Sequence, residues 1–235
     1  MTKITTTQLT HWDVPLKHGF GFKGGSVHSL WHGICRIACD NGHSGLGVSV
    51  QSILYADPAV FHAFTVAAGN QLMLDTTRHA LTLLEGRELT TPPALISAIY
   101  DEVKAYATEA SGLDHITDAF VLNALTAVDF ALWQLWARHK QTTSFGDITA
   151  QFAPGLNQQA QQIANIPLIS YDLDDAGIQE LLDDGVSILK IKIGSNPDGQ
   201  NDPQTMCAWD IERVNRIHAL ASQVHTPHTD SGHPL

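Results

Sequence analysis

Apolar residues alternate with polar ones in some stretches of this chain and recur every three to four positions in others, and the two patterns divide it into differently built halves. Residues 4–16 alternate as a strand does and run into a loop, His18-Gly19-Phe20-Gly21-Phe22-Lys23-Gly24-Gly25. Residues 31–39 and 45–50 form a second alternating pair, joined across the turn-forming tetrad Asp40-Asn41-Gly42-His43, and predict a hairpin. Asp57 suits an N-cap and Pro58 a first helical turn. Helices are then predicted near 75–84, 93–110 and 116–140, the last carrying Phe120, Leu122, Leu125, Val128, Leu132 and Leu135 on a helical period. Beyond a boundary region at 146–165, rich in Gln and Asn, the order changes. A short apolar run at 166–171 predicts a buried strand, 174–184 a capped helix ending at Gly185, and 187–194 a second strand. A helix follows at 208–222, with Ile211, Val214, Ile217, Leu220 and Ala221 as its apolar positions. This is one βαβ unit, whose strands should be parallel and joined by a right-handed crossover.

The strand Ser187-Ile188-Leu189-Lys190-Ile191-Lys192-Ile193-Gly194 carries the chemistry. Alternation sends Lys190 and Lys192 out of one face together and Leu189, Ile191 and Ile193 out of the other. At the carboxyl end of a parallel barrel strand such a pair points into the mouth where barrel enzymes act. The competing reading is an edge strand whose lysines are solvated, which also discourages edge-to-edge aggregation.

Three segments, in order, resemble the mandelate racemase and muconate lactonizing branch of the enolase superfamily. They are the hairpin Arg36-Ile37-Ala38-Cys39-Asp40-Asn41-Gly42-His43-Ser44-Gly45-Leu46-Gly47, the helix Ala127-Val128-Asp129-Phe130-Ala131-Leu132-Trp133, and the strand Leu189-Lys190-Ile191-Lys192-Ile193-Gly194. The resemblance implies an α/β protein: an α+β capping domain over 1–150 that selects substrate, then the first strands and helices of a modified (β/α) barrel over 151–235. It implies that Lys192 is the acid/base residue and that Lys190 helps bind the substrate carboxylate. As a neighbouring cation, Lys190 would also disfavour protonation of Lys192. His18, Phe20, Phe22 and Lys23 would fold over the barrel mouth and touch substrate. Val48 stands where many relatives carry a glutamate, so any role of that carboxylate is absent.

A closed barrel of this type takes roughly 250 residues, so the barrel is expected to be incomplete in 235. The carboxylates that hold Mg²⁺ in such enzymes are expected beyond residue 235, with Asp230 the one candidate ligand within the chain. The competing reading of Asp230 is a polar-loop aspartate, because Pro227 interrupts its segment. The implied reaction removes the proton alpha to a carboxylate of a small substrate, with racemisation or epimerisation as the outcome. Dehydration of a hydroxy or sugar acid, or cycloisomerisation, begins the same way. Residues 1–235 alone are expected to be inactive and to self-associate, and the full-length form to be a homo-oligomer. Two other classes stay open: a non-catalytic binding or assembly protein with a vestigial barrel, and an aldolase-like enzyme whose lysine forms an imine.

The remaining motifs narrow the field. Gly19-Phe20-Gly21-Phe22-Lys23-Gly24 satisfies a dinucleotide fingerprint literally but lacks the preceding buried strand and following helix that cradle a phosphate. His225 and His228 suggest a metal pair without a third ligand, in a chain that scatters 13 histidines. Asp129 reads as a structural carboxylate. Cys35, Cys39 and Cys207 follow no zinc or redox spacing, and the start of the chain lacks an apolar signal core, so a cytoplasmic location with free thiols is expected. A net charge of −11 argues against nucleic acid, and no run of apolar residues is long enough to suggest a membrane partner.

Overall fold

The computed structural model describes residues 1–22, 25–154, 165–171, 173–200 and 202–224. The chain divides into two compact units, Met1–Gln158 and Gln159–Leu235.

Unit 1 opens with three antiparallel strands in the order β1 (Ile4–Phe22), β2 (Gly25–Cys39) and β3 (Ser44–Val50). The hairpin predicted between β2 and β3 is present, turning at Gly42 with φ of 84°, where glycine carries no steric penalty. The segment expected as a loop at 18–25 is different. Backbone pairing continues along β1 as far as Phe22, with Phe20 opposite Val27 and Phe22 opposite Gly25. A register shift between Pro15 and Phe20 absorbs the extra residues on β1, so a glycine-rich stretch that reads as loop runs on as strand. Lys23 lies outside the described residues, as do the side chains of His18, Phe20 and Phe22.

Helices α1 (Ile53–Ala56), α2 (Pro58–Ala63), α3 (Val66–Leu84), α4 (Pro92–Ser111), α5 (Asp118–His139) and α6 (Phe145–Thr149) follow. The expected cap at Asp57 is present and does more than cap. Its Oδ1 accepts from the amides of Ala59 and Val60 while Oδ2 accepts from Thr117, whose own hydroxyl caps α5. One buried carboxylate thus ties two helix starts together and satisfies amides that would otherwise be orphaned. Helix α3 begins nine residues earlier than its periodicity predicts, at the cap Thr65. Gly69 weakens the helical signal there but is needed for space, since a Cβ would stand 2.8 Å from Ile53 Cδ1.

Helix α5 is the hub. Its buried positions Phe120, Ala124, Val128, Leu132 and Leu135 join Ile37 and Cys39 of the sheet, Met73, Leu81 and Leu84 of α3, and Ile99 and Val103 of α4 in one core. By length and composition α5 is apolar enough to cross a membrane, but it spends that apolarity on the packed core. Burying each large side chain contributes about 1.5–3 kcal/mol. Leu122, expected among the apolar face, is exposed instead. Asp129, which reads as a structural carboxylate, is half-buried: desolvation raises its pKa, partly offset by a hydrogen bond from Trp133.

The three cysteines differ sharply. Cys35 and Cys39 are buried and Cys207 is exposed. Burial pushes Cys35 up to about 12 and Cys39 up to about 11, the latter helped by Asp40, against an ordinary 9.0. A thiol reagent at pH 8 is therefore expected to modify one cysteine rapidly in the native chain and all three in denaturant. Fast labelling of Cys35 would contradict this packing. Both shifts are upward, so their stabilising contribution is whole below about pH 9 and disappears as pH rises through 11 and 12.

Unit 2 contains the βαβ unit: β4 (Leu168–Ile169), α7 (Asp175–Asp183), β5 (Lys190–Ile191) and then α8 (Pro203–Ala221). The strands are parallel, with Leu168 opposite Lys190 and Ile169 opposite Ile191. Both strands are much shorter than the apolar runs around them, because a pair with no further neighbour among the described residues has little to hold it extended. A small core of Ile169, Ile178, Leu182, Ile217 and Ala221 holds the unit together.

Candidate functional site

Both lysines singled out by the sequence lie at β5. Lys190 pairs within the ladder, its amide donating to Pro167 O at 3.2 Å. The Lys192 amide donates to Ile169 O at 3.1 Å, one residue past the strand's assigned end. The expected alternation holds over four residues: Leu189 and Ile191 pack on the small core while the lysines leave the other face. Their surroundings differ. Lys190 is exposed, whereas Lys192 is half-buried with Nζ 5.0 Å from the centroid of the Tyr171 ring. Ile193 breaks the pattern, being 67% exposed rather than packed with Leu189 and Ile191.

Helix α8 fixes the carboxyl ends of both strands. Asp210 accepts from the amides of Gly194 at 2.6 Å and Ser195 at 3.4 Å, and Arg213, one turn on, donates to Ser170 O. The Tyr171 hydroxyl crosses from the end of β4 to donate to Ile193 O at 2.6 Å. Desolvation, with Asp210 acting in the same direction and Arg213 opposing, pushes the Tyr171 phenol up, so it stays a proton donor. Arg213 is buried, its guanidinium 5.6 Å from the Trp209 ring, and desolvation lowers its pKa first, with Arg216 adding to the effect.

This corrects the expected face of α8. Arg213, Ile217 and Ala221 are buried, while Ile211 and Val214 are exposed and line an apolar groove with Ile193, Met206 and Cys207. A helical period counts apolar residues alike and cannot see that an arginine held by a strand carbonyl takes the inward position. Tyr171, Asp210 and Arg213 were therefore invisible as site residues. The available signal was an aromatic residue at a strand end and an Asp/Arg pair at i and i+3.

The apolar surface left bare here has a consequence. Ile166, Leu168, Ile188, Ile193, Ile211 and Val214 are all exposed in unit 2. The chain is expected to self-associate, with light scattering that grows with concentration. A monodisperse monomer at high concentration would show that this surface is satisfied some other way.

Asp230, His225 and His228 lie outside the described residues. Among the described residues no group of three or more His, Cys, Asp and Glu side chains is placed to hold a metal ion. The residues described do not fit a magnesium site, and no chemical step is derived through one.

No profile of a known protein family matches the sequence, and no curated protein matches it. Solved structures do match. A mandelate racemase/muconate lactonizing protein from Herpetosiphon aurantiacus aligns with a TM-score of 0.59 at 16% identity, over 95% of this chain and 52% of its own. A dipeptide epimerase from Enterococcus faecalis, complexed with Mg and the dipeptide L-Leu-L-Tyr, aligns at 0.54 and 19% over 93% and 50%. An L-talarate/galactarate dehydratase from Salmonella typhimurium aligns at 0.57 and 16% over 93% and 48%. The chain spans about half the length of each. At these identities the likeness is one of fold, and that fold is the one seen in mandelate racemase/muconate lactonizing and enolase-superfamily proteins.

Proposed function

We propose that this chain carries the acid/base lysine of an enzyme that removes the proton alpha to a substrate carboxylate, with racemisation or epimerisation as the outcome. Lys192 handles the proton and Lys190 faces the carboxylate. The observation that supports this reading is that both lysines leave one face of a short parallel strand, Lys190 within it and Lys192 just past its carboxyl end, in a chain sharing its fold with epimerases and sugar-acid dehydratases. In this reading unit 1 is the capping domain and unit 2 opens a (β/α) barrel. Mg²⁺ is the proposed cofactor, since solved structures of this fold are complexed with it. The enediolate formed would gather negative charge, which a cationic lysine pair offsets from one side.

The exchange of substrate α-protons for deuterium, followed by NMR in D₂O with Mg²⁺, tests this on dipeptides and sugar acids. A protein carrying residues 1–235 together with a completed barrel is expected to exchange, and residues 1–235 alone to do so negligibly. Inverted product identifies an epimerase; a keto acid identifies a dehydratase. No exchange on any carboxylate, even with the completed barrel, favours a binding or assembly role. Imine trapping by borohydride would replace the proposal with an aldolase-like one.

A further inference from the structure

Lys192 ends in a flexible four-carbon stem, and an amine that must meet one substrate carbon needs something to hold it. The Tyr171 ring meets that need. Nζ stands 5.0 Å from the ring centroid, within the range where an aromatic face attracts a cation. The ring is itself fixed from several sides. Its hydroxyl donates to Ile193 O, the residue directly after Lys192, and its edge meets Trp209 at 5.9 Å with the planes 77° apart. Arg213 holds the carbonyl of Ser170, the residue directly before it. On the other side of the bond to Ile193, Asp210 grips the amides of Gly194 and Ser195. The backbone on both sides of the pair is thereby pinned to one helix, and the tyrosine bridges the two strand ends.

We infer that Tyr171 is a positioning residue for Lys192: its ring is the platform that sets where the Lys192 amine sits, while its hydroxyl joins the ends of β4 and β5. The inference rests on the catalytic reading of Lys192 for its purpose but not for its geometry. Two substitutions separate the parts. Tyr171→Phe keeps the ring and removes the bond to Ile193; Tyr171→Leu removes both.

The test has two readouts. Lysines of the 235-residue chain are reductively methylated with ¹³C-formaldehyde, and the Lys192 and Lys190 signals are assigned from Lys192→Arg and Lys190→Arg variants. The Lys192 methyl resonance is expected upfield of that of the exposed Lys190, through the ring current. The displacement should survive Tyr171→Phe and vanish in Tyr171→Leu, while the Lys190 signal stays in place throughout. Coincident Lys190 and Lys192 signals in the unaltered chain, or an unmoved Lys192 signal in Tyr171→Leu, would overturn the inference. In the preparation that shows Lys192-dependent exchange, Tyr171→Leu is expected to lower kcat on the order of 10²-fold with little change in KM, as misplacement of a reacting group does. Tyr171→Phe should retain most of the rate. Unaltered exchange in Tyr171→Leu would equally overturn it. A Lys192→Ala chain that exchanges normally instead defeats the catalytic reading while leaving the ring placement standing, so the two failures are distinguishable.

Discussion

Replacing Gly47 with alanine is expected to unfold unit 1 or bring it to the edge of unfolding. A Cβ built at Gly47 would lie 1.8 Å from Ala127 O and 2.6 Å from Ala131 N, and one at Gly45 would lie 1.9 Å from Ala131 O. These are backbone atoms of α5 and cannot swing aside as a side chain tip does. The strand also meets the helix through bonds that fix its distance: Leu46 N donates to Gln134 Oε1 at 2.7 Å, and Asn123 bridges Ser52 N and Val50 O. Cys35 Sγ donates to Ala127 O at 3.0 Å from the neighbouring strand. Accommodating a methyl group means moving the hub helix away from both strands. Overpacking commonly costs about 1–3 kcal/mol, and a clash against backbone belongs above that, near 4 or more. Whole domains hold about 5–15 kcal/mol. Gly42→Ala is the control, since its turn has φ of 84° but nothing within 4 Å of the added carbon. It should cost about 1–2 kcal/mol. Thermal melts followed by circular dichroism decide the matter; a Gly47→Ala transition within a few degrees of the unaltered chain would mean that α5 stands farther off than described.

Lys192→Ala is expected to reduce α-proton exchange about 10²- to 10⁴-fold, the range for losing a positioned acid/base group. That amounts to roughly 3–5 kcal/mol of the about 8–23 kcal/mol that enzymes supply in all. Lys190→Ala should act differently. Lys190 is exposed, and in the proposed role its ammonium would bind a substrate carboxylate alike in ground state and transition state, so its loss should raise KM more than it lowers kcat. Lys192→Arg discriminates charge from proton transfer, because a guanidinium keeps the cation but does not give up its proton near neutral pH. It should be nearly as damaged as Lys192→Ala. Exchange that persists in Lys192→Ala within a few-fold would remove this lysine from the chemistry.

Much of the architecture was legible because its signals are local. The β2–β3 hairpin announces itself by a turn tetrad between alternating runs, Asp57-Pro58 by cap chemistry, and α5 by a long apolar period. The continuation of β1 to Phe22 was hidden, since glycines at alternate positions imitate a loop until a partner strand is seen beside them. The two lysines were legible as a pair through strand alternation, yet their unequal environments were not. What distinguishes them is a tyrosine just past the end of a different strand, framed by a helix that begins 11 to 13 residues on, and such contacts leave no periodic trace. Gly45 and Gly47 were noted as part of a resemblance, and the reason for them emerges only when the α5 backbone is found against them.

That glycine face leaves β3 with one writable side. Whatever selection or engineering does to this strand must be inscribed on Leu46, Val48 and Val50, which turn away from α5 and stand exposed. Val48 stands in the middle of that column. A charge can be added to or erased from that spot without disturbing the seam between strand and helix, so the scaffold keeps its architecture while its outward chemistry is free to drift.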